Sequence, residues 1–153
     1  MNASARMEIE WACITLSHAF AYHLDQRDYR ALADLFAVDG VWIRHNVRLE
    51  GREQIIAAMN QRPKEQFTRH VTAGFHFTQV NETTARSVAY NMSYFSFNAS
   101  SLPAPYVPEK AMLLDFVDVY TKTSDGWRFQ QRDTQMILIP EEARAVATKL
   151  QPR

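Results

Sequence analysis

The chain has 153 residues, and its seventeen basic side chains cancel seventeen acidic ones. A net charge of zero argues against nucleic acid as a partner, because phosphate binding needs a basic excess or stripe. No apolar run approaches the roughly 18 residues of a membrane span, and the N-terminal MNASARMEIEW has no signal-peptide core. The one cysteine, Cys13, excludes an intrachain disulfide and fits a reducing, cytoplasmic setting. The expectation is a single domain over 1–153, with its core at about 8–140.

From Glu8 to Leu24, apolar residues recur at Ile9, Cys13, Leu16, Phe20 and Leu24, the stripe of an amphipathic helix. DYRALADLFA repeats the pattern, with Asp28 as a plausible N-cap and Asp39-Gly40 as a stop. Val41–Ile43 and Val47–Leu49 read as short strands, and GREQIIAAMNQ as a third helix ended before Pro63. Long strands are predicted at Phe67–Val80, Ala85–Phe97, Ala111–Lys122 and Trp127–Ile139. Asp125-Gly126 makes the last hairpin turn. The proline-containing stretch SSLPAPYVPEK is a loop, with 101–108 a candidate lid, and Pro140-Glu141-Glu142 starts a tail helix over 141–150. Helices segregated from an antiparallel sheet mean α+β. A curved sheet around a long helix would leave a cavity open at one end, a usual place for a small-molecule site.

Several segments carry a resemblance: AYHLDQRDYRALADLFAVDGVW, GREQI, TRHVTAGF and SDGWRF, spread over about residues 8–135. The chain resembles the SnoaL-like branch of the nuclear transport factor 2-like superfamily, which includes scytalone dehydratase and hexachlorocyclohexane dehydrochlorinase. The resemblance implies a cone-like curved antiparallel sheet wrapped around the N-terminal helix, an α+β barrel. It implies a homo-oligomer, dimer or trimer, acting without a cofactor. It also implies a catalytic dyad, since Asp25 in LDQRDYRAL and His70 in FTRHVTAG match the Asp and His shared by those two enzymes. There the His removes a proton, and the Asp fixes its tautomer and stabilises the imidazolium. The chemistry is sound, because a base titrating near neutrality suits loss of water or HX beside an acidic C–H. The dehydratase's second pocket His has no counterpart in SVAYNMSYFSF, which leaves Asn91 or Tyr22 to polarise an oxygen.

Other residues have two readings each. Phe20, Trp42 and Phe116 are candidate pocket walls or plain core. His76 shares a face with His70 at strand period two unless a bulge intervenes. Tyr22 shares a helix face with His18 and Asp25. His23 and His45 read as surface residues. Asp115 and Asp118 have opposite parity, so one of them points inward. No H-x-H, H-x-x-x-H or H-E-x-x-H spacing occurs, so no metal site is expected. Two functions follow. One is a lyase of the scytalone dehydratase-like type, catalysing dehydration, HX elimination or isomerisation of a small cyclic or aromatic substrate. The other is a non-catalytic small-molecule-binding or accessory domain.

Overall fold

A computed structural model describes residues 1–97, 99–105 and 111–141. Helix α1 (Ala3–Gln26) is capped by the Asn2 side chain, which accepts the Ala5 N–H. It ends where Arg27 turns left-handed (φ 61) and Asp28 N–H returns to the His23 carbonyl. A side chain in that conformation is uncommon. Here the Arg27 guanidinium is tied down by the carbonyls of Pro63 and Gln66. Asp28 caps α2 (Tyr29–Asp34), as its sequence context suggests.

Beyond α2 the sequence reading is corrected. The helix does not run to Asp39-Gly40, because β1 (Phe36–Arg44) already begins at Phe36. Gly40 lies inside β1, where a Cβ would come within 2.8 Å of the Phe129 carbonyl. Its role is close approach between strands. The hairpin partner β2 (Val47–Glu50), α3 (Arg52–Met59), β3 (Phe67–Val80), β4 (Thr84–Ser96), β5 (Met112–Thr123) and β6 (Gly126–Leu138) follow, with bounds within a few residues of those expected. Nearly all of the predicted tail helix 141–150, and residues 106–108 of the predicted lid, lie outside the described residues.

The six strands form one sheet in the order β2-β1-β6-β5-β4-β3. The sheet is mixed, not purely antiparallel: β1 runs parallel to β6, and the other pairs are antiparallel. β2 and β3 are its edges, so it does not close into a barrel. Helix α1 touches β3, β4 and β6, strands from both halves of the curved sheet. The apolar stripe Cys13, Leu16, Phe20 and Leu24 is buried against Leu32, Phe36, Trp42, Phe116, Tyr120 and Phe129. Burial of side chains this large dominates the stabilisation, each contributing about 1.5–3 kcal/mol.

Candidate functional site: a buried Asp–His pair on an apolar cavity

Asp25 sits in the last turn of α1, and Thr68 and His70 stand on the inner face of β3. The Thr68 hydroxyl donates to Asp25 Oδ1 at 2.7 Å, and the His70 backbone N–H donates to Oδ2 at 2.9 Å. His70 Nδ1 lies 2.6 Å from Oδ1. An ionised carboxylate only accepts, so Nδ1 carries the proton and the neutral ring keeps its lone pair on Nε2. Nε2 has no hydrogen-bond partner among the described residues. The side chains are 10% and 6% exposed for His70 and Asp25. Burial alone would push the Asp25 carboxyl up, but the bonds from His70 and Thr68 outweigh it and hold it below the ordinary carboxylate range. Arg62 sits one bond behind, donating to Thr68 Oγ1 at 3.0 Å and to the Leu24 carbonyl at 2.8 Å.

His70 borders a cavity of about 190 Å³. The expected wall residues Phe20, Trp42 and Phe116 all line it. Phe20 packs edge-on against Trp42 at 5.0 Å, and the Trp42 indole N–H donates to Thr134 Oγ1 at 3.0 Å. An apolar cavity of about 150 Å³ accepts a benzene ring, so this one suits a single substituted ring.

Three predicted site residues lie elsewhere. Asn91 is on the inner face of β4 and fully buried, but it does not reach the cavity. Its amide donates to Thr72 at 2.9 Å, and its oxygen accepts from Ser93 at 2.8 Å. Ser93 is the residue that lines the cavity. Tyr22 is 62% exposed, in a shallow outer groove that Asp25 and His70 border from behind. His76 is exposed because a bulge at Gly74 (φ 64) reverses the parity of β3 after Ala73. Phe77 takes the inward place and stacks on Tyr120.

The sequence reading missed Arg44, His45, Arg62 and Gln66, all on the cavity wall. His45 corrects an expectation: it is half-buried and lines the cavity, where it was expected at the surface. Burial and the Arg44 charge push its pKa down to about 4, so it is neutral at physiological pH. A signal for Arg44 was present, since it lies two residues after Trp42 on the same strand face. Nothing local marks Arg62, which arrives from the loop after α3. His23 is also half-buried rather than at the surface. Of the two aspartates of opposite parity, Asp118 is the buried one, paired with Arg132.

Residues 5–133 match the model of the SnoaL-like domain. The chain belongs to the SnoaL-like domain family. Solved structures agree on the fold of this SnoaL-like chain. A candidate scytalone dehydratase from Novosphingobium aromaticivorans superposes with a TM-score of 0.74 at 18% identity, covering 90% of this chain and 89% of that one. A type 2 hexachlorocyclohexane dehydrochlorinase (LinA) gives 0.72 at 15% identity, with 90% of each chain covered. A single-substitution variant of a Mycobacterium tuberculosis protein of unknown function gives 0.75 at 16% identity, covering 99% of this chain and 85% of that one. No curated protein matches the SnoaL-like chain in sequence. At these identities the likeness concerns the fold, and function has to come from the site. Among the described residues no three His, Cys, Asp or Glu side chains converge to hold a metal ion. No described helix is long and apolar enough to cross a membrane.

Proposed function

We propose that the cavity is the active site of a cofactor-independent lyase, with His70 as general base and Asp25 as its positioning residue. The observation that carries this reading is the His70 ring, bonded to Asp25 through Nδ1 and bordering the cavity with Nε2 unbonded. Nε2 takes a proton from carbon. The C–H electron pair becomes the new C=C bond, and the bond to the leaving group breaks with its pair. Water or HX departs, and the imidazolium returns its proton to the leaving group or to solvent. Asp25 favours the imidazolium electrostatically throughout. If the proton returns to another carbon instead, the same step is an isomerisation. Neutral His45 stands on the wall to hold an oxygen of the substrate, and the Ser93 hydroxyl, which donates to Asn91, is left to accept from a substrate hydroxyl.

A single-turnover elimination assay over ring substrates with an acidic C–H tests this. His70→Asn is expected to lower the rate by about 10²–10⁴-fold while the fold is retained. Turnover unchanged in His70→Asn would sink the reading.

The second reading, a non-catalytic small-molecule binder, is favoured by Asn91: its amide is occupied by Thr72 and Ser93 and polarises nothing in the cavity. It predicts ligand binding with no turnover and no effect of His70→Asn. Under either reading we place the chain in the cytoplasm as a single-domain homo-oligomer, dimer or trimer. Exposed Val71, Tyr90 and Met92 on the outer face of β3 and β4 support such an assembly, and sedimentation velocity tests it.

A further inference from the structure

The cavity wall is unbalanced in charge. Arg44 and Arg62 stand on it, and no Asp or Glu does among the described residues. Arg62 is engaged, bonded to the Leu24 carbonyl and, through Thr68, to the carboxylate of Asp25. Arg44 is not. Its contacts are the face of Trp42, 5.9 Å from the guanidinium carbon, and electrostatic interactions with Arg62 and Tyr29. No hydrogen bond or carboxylate partner among the described residues meets its N–H donors. It is also half-buried. A guanidinium partly withdrawn from water beside a like charge gains from an anion that reaches it.

Local backbone structure holds it there. Arg44 ends β1, and the next two residues, His45 (φ 50) and Asn46 (φ 63), are both left-handed. Two successive positive φ values make the tight hairpin turn whose twist matches the flanking strands. That turn keeps both Arg44 and His45 at the cavity. His45 adds no competing positive charge, because it is neutral near pH 7.

We propose that Arg44 is an anion-recognition residue and that the ligand of this cavity is a single-ring carboxylic acid, its carboxylate on the Arg44 fork. Two parallel N–H donors match the two oxygens of a carboxylate. One unpaired positive charge matches one negative charge, whereas a phosphate dianion would ask for more donors than Arg44 supplies. A phenol is neutral at physiological pH and brings no charge to the fork. The cavity of about 190 Å³ and its Phe20, Trp42 and Phe116 walls take the ring. The inference deepens the lyase reading and rests on it for the fate of the ligand, since the carboxylate would present the ring to His70.

The test compares benzoate with its neutral near-isostere benzamide. Each is titrated into the full chain and followed on the His70 ring and Trp42 indole resonances. Benzoate is expected to shift both and to bind at least about tenfold more tightly than benzamide. Arg44→Gln should bring the two within about twofold, and Arg44→Lys should restore part of the preference. Equal binding of the two by the wild-type chain, or no binding of benzoate, overturns the proposal without any variant having to fold. So does a benzoate preference that survives in folded Arg44→Gln. The two readings fail separately. Benzoate selectivity with turnover indifferent to His70→Asn removes the lyase and keeps the anion site. Elimination through His70 with no benzoate preference does the reverse.

Discussion

Two acid–base pairs are buried in this molecule, and their surroundings differ. Asp118 and Arg132, facing each other from β5 and β6, are both 0% exposed in their side chains. Arg132 holds both carboxylate oxygens of Asp118, at 2.9 and 2.7 Å, and also donates to Ser17. Tyr120 donates to the same carboxylate at 2.9 Å. The rings of Phe20, Phe116 and Phe129 lie 4.1–4.3 Å from the guanidinium carbon. Nη1 lacks a hydrogen-bond partner, and those aromatic faces compensate the charge in its place. Asp25 and His70 are nearly as buried, but their network ends at the His70 ring, which borders the cavity and makes no bond through Nε2 among the described residues. A guanidinium does not release its proton in a protein, while an imidazole exchanges one near neutrality. Burial and pairing alone therefore do not mark a reactive site. What the proposed site adds is a ring nitrogen with no partner among the described residues, able to take a proton.

That contrast can be broken by measurement. The largest effect is expected from Arg132→Leu, which strands the Asp118 charge in the core and should cost about 3–5 kcal/mol of stability in urea unfolding. Replacing Asp118 by Leu as well should recover most of that loss. A single replacement costing under about 1 kcal/mol would mean that water reaches the pair. Asp25→Asn keeps an acceptor for the His70 N–H but loses the charge, and about 1–3 kcal/mol is expected.

Acid titration sharpens the comparison further. The Asp25 carboxyl is held below its ordinary 3.8 in the folded chain. Its contribution is therefore fully present above pH 3.8 and is lost as pH falls through the lower folded value, a loss that Asp25→Asn should flatten. His45 acts at higher pH. Its folded pKa of about 4 lies below the usual 6.5. The unfolded chain then binds more protons between these values, so stability should fall as pH drops from 6.5 toward 4. The slope is at most about 1.4 kcal/mol per pH unit, less with partial exposure, and His45→Gln should remove it.

The smallest readout is Cys13, beside the closed network. Burial, with Asp118 and Glu10 adding to it, pushes its thiol up to about 12. It should resist thiol reagents at about pH 8 until the chain unfolds. Prompt labelling of the native protein would show that the closed end of the core opens readily.

Much of this molecule was legible in its sequence. The steps Ile9, Cys13, Leu16, Phe20 and Leu24 specify one helix face, and that face is the one against the sheet. Alternation and turn residues placed the four long strands, because a strand's period and an Asp-Gly turn are local properties. Asp25 and His70 were legible as a pair through family resemblance, and the walls Phe20, Trp42 and Phe116 through their apolar character. Tertiary structure decided the rest. A single bulged residue at Gly74 turned His76 outward, and parity cannot announce a bulge in advance. Asn91 had the right face but met Thr72 and Ser93 before any ligand. Arg44, His45 and Arg62 come from a strand end, a hairpin turn and a loop. They meet only because the sheet curls around α1 and β1 joins β6 in parallel. Periodicity reports which way a side chain leaves its own element, and convergence of side chains from distant elements depends on the curvature between them.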